Sequence, residues 1–361
     1  MSIATRTRQG GYSLIEVLIA VAITAAVMAS VFLLLQRGQK SFMREPEVSD
    51  MNGNARSGLD RITQELAVAG YNTPITMPVM WLDGGGLAPD EITILYADPE
   101  IPVSRPRPCG VGGGGGGAPC STIGMSSTLN LDPFTFSPQP PDFEQAYQDG
   151  MLLFAFQGPN GDPACDAVQP GLVPFELTQP PQCTGAAGGS AEPSDCATLA
   201  VNHRPAPGVA GIALPAGFAS DVVPDCAIVG LFHVVQYRVN PLPPAESPAL
   251  ERRDVALGEP WSTLAVNIEN LQVQYAQGMA DRFEDVPALA PTGNDPGSWI
   301  TGVRVTVGGR SQTRNLEGAS AGVFAADDAF MRRSFTTTVS LRNQLSQAQQ
   351  RAVELGLSSW N

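Results

Sequence analysis

Residues 10–35 read GGYSLIEVLIAVAITAAVMASVFLLL, and the interpretation of this stretch decides how the rest of the chain is understood. From Tyr12 to Leu35 the sole charge is Glu16. As a helix the segment would be about 36 Å long at ~1.5 Å per residue, enough to cross the ~30 Å hydrocarbon core of a bilayer with some tilt. Ahead of it, MSIATRTRQGG carries Arg6 and Arg8 and no acid. Behind it come Arg37, Lys40 and Arg44, so both flanks are positive and charge orients the span only weakly. The cysteines downstream suit an oxidising compartment. The expectation is a single-pass inner-membrane protein with a cytoplasmic N-terminus and a periplasmic head.

An ordinary secretory signal, cut near Ala20-Val21-Ala22, or a plain signal anchor would share this outline. Neither accounts for Glu16. A carboxylate inside an apolar span costs about 2.5–3.5 kcal/mol on insertion scales, and such residues usually have a partner.

Gly10-Gly11-Tyr12-Ser13-Leu14-Ile15-Glu16-Val17-Leu18-Ile19-Ala20 resembles the class III signal of type IV prepilins and type II secretion pseudopilins. The resemblance implies cleavage by a prepilin peptidase between Gly11 and Tyr12, with methylation of the new amine on Tyr12. Tyr12 stands where that family usually has Phe. It also implies an assembly role for Glu16, which becomes the fifth mature residue. Its carboxylate would pair with the α-amine of a neighbouring subunit and set the register between packed helices. Such a pair is favourable in low dielectric chiefly because the unpaired charges are so costly.

Beyond Leu35 the pattern turns amphipathic. Val48, Met51, Ala55, Leu59, Ile62, Leu66 and Ala69 follow a 3–4 spacing, with Arg56, Asp60, Arg61, Gln64 and Glu65 on the other face. Gly70 is a C-cap candidate, and Pro74 stops continuation. Gly38, Pro46, Gly53 and Gly58 would interrupt the helix, with Pro46 the expected kink. The predicted fold class is α+β: a long N-terminal transmembrane and amphipathic helix packed on a mainly antiparallel β-sheet head, pilin-like. The predicted boundaries are a leader at 1–11, the membrane helix at 12–35 and its amphipathic continuation at 36–73. A β-rich head at 74–343 and a C-terminal tail at 344–361, which can be helical, complete the chain.

Strands are predicted at 91–97, 151–156, 226–239, 264–275, 300–307 and 334–341. Long loops are predicted at 99–149, 158–224 and 278–298. Val235-Gln236-Tyr237-Arg238-Val239, Ala265 to Tyr275, Trp299, Val303-Arg304-Val305, Arg310-Ser311, Arg333-Ser334-Phe335 and Thr338 to Asn343 are similar, in scattered blocks, to PilW-type minor pilins. The minor pseudopilin J of type II secretion is near in pattern. The resemblance implies a minor pilin that starts or caps a type IV pilus. A type II secretion pseudopilin and a pilus-borne adhesin or DNA-uptake module are the alternatives. The implied partners are major and minor pilins, the prepilin peptidase, inner-membrane pilus assembly proteins and the membrane itself. The protein would end in an extracellular pilus.

The 361 residues include 38 Gly and 32 Pro, which signals turn-rich loops, yet 43% are hydrophobic and can bury a core. A net charge of −14 argues against nucleic acid as a main partner. Histidine is scarce: His203 is assigned to a loop and His233 to an apolar strand as a packed residue. Cys109, Cys120, Cys165, Cys183, Cys196 and Cys226 contain no C-x-x-C pair and are disulfide candidates. Cys109–Cys120, around the glycine tract, is the favoured pairing. Gly110 to Gly115 matches a dinucleotide fingerprint only formally, lacking the strand and helix that fingerprint needs. Asp281, Glu284 and Asp285 fit no EF-hand loop. No catalytic residue, metal or cofactor is expected, and the chain is not expected to be an enzyme.

Overall fold

A computed structural model describes residues 13–73, 78–86, 88–106, 128–138, 140, 146–157, 165, 171–184, 198–205, 226–240, 248–289, 295–314 and 330–356. By compactness the chain divides into two units, residues 1–51 with 311–332, and residues 52–310 with 333–361. Helix α1 (Leu14–Val68) is the first element of the chain. It stays helical through Gly38, Pro46, Gly53 and Gly58, where the sequence predicts breaks. Pro46 cannot bond the carbonyl of Phe42, but both residues lie on an exposed stretch where water can satisfy it.

In the first unit the helix carries Glu47, whose Oε2 accepts from the amides of Gln312 and Thr313 at 2.8 and 3.3 Å. Its Oε1 accepts from the Thr313 hydroxyl at 2.6 Å. Ser311 Oγ accepts from the Met331 amide and donates to the Thr313 carbonyl.

The second unit starts from the amphipathic half of α1. Ala55, Leu59, Ile62, Leu66 and Ala69 are buried, as their spacing requires. They meet a five-stranded sheet built from β1 (Val79–Leu82), β2 (Glu91–Ala97), β10 (Phe232–Asn240), β11 (Ala249–Asp254) and β12 (Ser262–Val266), in the order β1-β2-β10-β11-β12. Gly58 marks the closest approach, since a Cβ there would lie 2.7 Å from Leu250 Cδ2. A three-stranded sheet of β13 (Ile268–Gln277), β14 (Ile300–Arg314) and β15 (Phe330–Ser340) adds Leu271, Val273, Val303 and Val305 to the same core. The predicted strand over 264–275 is two strands. Asn267, at φ +61°, lies between them, and the chain passes there from one sheet to the other.

Within the segments predicted as long loops, 99–149 and 158–224, the described residues instead include five strands: β3 (Val103–Pro106), β4 (Thr128–Ser137), β6 (Gly171–Leu177), β7 (Gln182–Thr184) and β8 (Thr198–Pro205). They are joined by β5 (Leu152–Gln157), which the sequence predicts as a strand, and by β9 (Ala227–Gly230). These form a seven-stranded antiparallel sheet in the order β4-β3-β9-β5-β6-β8-β7. Because β4 also pairs with β8, the sheet closes into a barrel. Leu129, Leu131, Leu153, Ala155, Phe175, Leu177, Leu199 and Val201 alternate into its interior.

This barrel is an insertion. β2 and β10 pair directly, Ala97 opposite Phe232, and Asp98 donates to the Leu231 carbonyl at 2.9 Å. The chain therefore leaves and re-enters the head sheet at one neck. The predicted strand over 226–239 breaks there, with β9 in the barrel and β10 in the sheet. At Gly230 an added Cβ would lie 2.6 Å from Val103 Cγ1. Outward residues of the barrel, Phe154, Phe156 and Ile228, pack on Leu95, Ala97, Phe232 and Val234 of the head sheet. β2 and β10 are thus buried on both faces, by α1 on one and the barrel on the other. Cys165–Cys226 is a disulfide across a sequence separation of 61. Helix α2 (Arg342–Glu354) closes the described chain, its Asn343 Nδ2 donating to the Ala69 carbonyl at 3.3 Å.

Candidate functional site

The stem, Leu14–Gln36, has a mean hydropathy of 2.7 with 0% of it buried. Its apolar side chains point outward all round, from Leu14 (82% exposed) to Leu35 (59%). In water such a surface costs roughly 25 cal/mol per Å², so it requires a bilayer or other helices. Its small polar groups are satisfied internally: Thr24 Oγ1 donates to the Ala20 carbonyl and Ser30 Oγ to the Val27 carbonyl. The helix begins where the Ser13 carbonyl accepts from Glu16 and Val17. Glu16 sits in this first turn, where a negative charge suits the positive end of the helix. Its carboxylate is exposed and has no hydrogen bond or ion pair among the described residues.

Glu65 of the same helix is the opposite case. Read as part of the polar face, it is 3% exposed. Its Oε1 accepts from Arg252 Nε at 3.0 Å and pairs with Arg61 at 2.9 Å, while Oε2 accepts from the Tyr237 hydroxyl at 2.6 Å. Arg252 also pairs with Glu259 at 3.1 Å. The carboxylate is buried because two strands of the head supply its partners. Burial, then Glu65, pushes the Tyr237 hydroxyl well up.

A second polar cluster sits at the neck of the insertion. His233, predicted as a packed core residue, lies half-buried between Asp254 (Nδ1 to Oδ2, 2.7 Å) and Asp98 (Nε2 to Oδ2, 3.3 Å). Its ring stacks on Tyr96 at 4.9 Å. Asp254 Oδ1 accepts from the amides of Val234 and Ala256. Burial alone would lower the imidazole pKa, but the two carboxylates outweigh it and hold it above the ordinary histidine value. Tyr96 is pushed up to about 12, first by burial and then by Glu65 and Asp254. His203, predicted on a loop, lies on β8 at 5% exposure against Phe175, and burial pushes its imidazole down.

Of the site residues read from the sequence, Gly11 and Tyr12 lie outside the described residues, as do Cys109, Cys120 and Cys196. The proposed Cys109–Cys120 pairing therefore has no structural account. Cys165 and Cys226 bond each other, and Cys183 is also disulfide-bonded. Among the described residues, no group of His, Cys, Asp and Glu could hold a metal ion. The acidic loop is tied down: Glu284 bridges to Tyr275, and Asp285 accepts from Gln274. Sequence reading missed Arg252, Asp254 and Asp98. His233, a polar ring inside the largely apolar run of β10, is the available signal; Arg252 lies in the charged stretch ALERRD, which offers none.

Residues 6–32 match the family described as the prokaryotic N-terminal methylation motif. The chain thus carries a prepilin-type N-terminal motif, followed by an apolar helix and a mostly antiparallel β-rich domain. Comparison with curated proteins gives no match. Among solved structures, a type IV-like pilin from Thermus thermophilus is 10% identical, covering 54% of this chain and 85% of its own, with a TM-score of 0.19. At that identity and score the likeness is no ground for fold or function.

Proposed function

We propose that this protein is a minor pilin of a type IV pilus, of the PilW type, acting in assembly or at the tip of the filament. The prepilin peptidase cuts between Gly11 and Tyr12 and leaves the stem on the mature chain. The new Tyr12 amine is methylated, and Glu16 pairs with the amine of a neighbouring subunit. The observation that carries this reading is a methylation motif over residues 6–32 joined to an apolar stem that none of the described residues covers. Glu16 has an acceptor to offer and no donor among the described residues, and an amine on an adjacent packed helix supplies both charge and register. The barrel inserted between β2 and β10 gives the head a bulk that suits a tip-proximal position better than a repeated one.

The protein is held in the inner membrane by Tyr12–Leu35, its head on the periplasmic side, until it joins the helical bundle of other pilins. Its role is structural, with no chemistry asked of the head. Mass spectrometry of the protein from cells with and without the prepilin peptidase tests this. A mature N-terminus at Tyr12, dependent on the peptidase and carrying an added methyl group, is the expected result. A start near Ala22, or an intact Met1 in both strains, refutes it.

A further inference from the structure

The geometry points to a binding groove for a saccharide bearing one carboxylate, of the uronic-acid class, at the seam between the head and the inserted barrel. This goes beyond the filament role and does not depend on it. The groove has a volume of about 480 Å³, within the ~300–1,000 Å³ typical of small-molecule sites.

Its apolar lining comes from three elements. Val103 of β3, Ile228 of β9 and Trp299 line it and are each about 5% exposed or less. Its polar side is built by α2, which turns Gln347, Gln350, Arg351 and Glu354 toward the groove at helical spacing. Across from these lie Arg105 on β3 and Thr73 in the turn after α1. Thr73 is 1% exposed, and its hydroxyl has no partner among the described residues. The walls are fixed: Asn72 Nδ2 donates to the Ser137 carbonyl at 2.6 Å, tying the turn to the barrel.

The chemistry narrows the ligand. An apolar patch beside side-chain amides suits a molecule with one carbon–hydrogen face and a rim of hydroxyls. Gln347 and Gln350 can each donate and accept, as neighbouring sugar hydroxyls require. Arg351 is neutralised by Glu354 at 3.1 Å. Arg105 is exposed, with no ion pair among the described residues, so the groove presents one unbalanced positive charge in a planar, carboxylate-matching form. An extended peptide adding to the sheet is disfavoured, because β3 is paired on both edges, with β4 and β9. A phosphate dianion is disfavoured by Glu354 on the rim.

The test uses the full chain in phosphocholine micelles, which carry no sugar headgroup. Titration calorimetry is run with a glucuronic-acid-containing disaccharide, its neutral glucose counterpart and sodium acetate. Saturable binding of the acidic disaccharide is expected, at least about tenfold tighter than the neutral one. Arg105→Ala and Gln350→Ala should each weaken it about tenfold or more. Both side chains are exposed, and an unchanged melting temperature verifies the fold of each variant. No saturable binding of the acidic disaccharide overturns the proposal. So does an unchanged affinity in both variants, equal affinity for the neutral sugar, or acetate competing as well as the disaccharide.

Discussion

Glu16 and Glu65 lie on one helix, and their surroundings could hardly differ more. Glu65 is shut into an apolar core with Arg252, Arg61 and Tyr237 on its oxygens. Glu16 stands on a bare apolar stem with no partner among the described residues. The difference teaches where each half of the helix finds its stabilisation. The head half is completed by strands of its own chain. The stem half finds no such completion among the described residues, and a carboxylate on so apolar a surface is tolerable out of water only once a cation meets it.

The largest expected effect comes from taking the acid away at each place. Glu65→Ala leaves the Arg252 guanidinium and the Tyr237 hydroxyl buried without their partner. Breaking a buried pair from one side costs about 3–5 kcal/mol. Urea unfolding of the head, followed by tryptophan fluorescence, should show that loss. Glu16→Ala should leave the same unfolding curve unchanged within about 0.5 kcal/mol while abolishing incorporation into filaments. Loss of head stability in Glu16→Ala, or normal filament incorporation without that acid, would break the contrast.

Apolar truncation gives the next rung. Ile62→Ala opens a cavity under the five-stranded sheet, where Ile62 is 0% exposed, and should cost about 3 kcal/mol of head stability. Ile23→Ala, at a position 60% exposed on the stem, should cost the head nothing. Equal losses in the two variants would mean that the stem is covered by its own chain after all.

A smaller effect tests the turn between the two sheets of the head. Asn267 holds φ at +61°, which a β-branched residue tolerates poorly. Asn267→Val should cost about 1–2 kcal/mol, and Asn267→Gly much less. A Val variant as stable as the Gly variant would show that the left-handed turn is not what the position requires.

How much of this was legible in sequence depends on how local each signal was. The stem is an unbroken apolar run and the face from Ala55 to Ala69 is periodic, both signals local to one element, and the structure buries that face as read. The barrel was hidden by its own composition. Pro133 lies in β4 and Pro174 in β6, and a proline ordinarily argues against an internal strand. Closure of the sheet also depends on β4 meeting β8, a pairing distant in sequence that no local pattern announces. Glu65 was misplaced for the same reason. On the helix it continues a polar face, and its burial is decided by Arg252 and Tyr237, which arrive from strands far along the chain.

The smallest effect expected concerns a third arrangement of acids, in which the cation itself titrates. Asp98 and Asp254 flank His233 at the neck where the barrel joins the head sheet, with Tyr96 stacked on its ring. The folded-state pKa of His233 is raised above its unfolded value by these two carboxylates. Its charge therefore contributes stability that is fully present below the unfolded pKa of about 6.5 and is lost as pH rises through the folded pKa. Head stability should fall across that window, and His233→Asn should flatten this part of the profile. The other charged groups near the neck, Glu65, Arg252 and Arg61, pair with one another, Arg252 and Arg61 both meeting Glu65 Oε1. A profile that falls equally in wild type and in His233→Asn would remove the histidine from the account and assign the pH response to another part of the molecule.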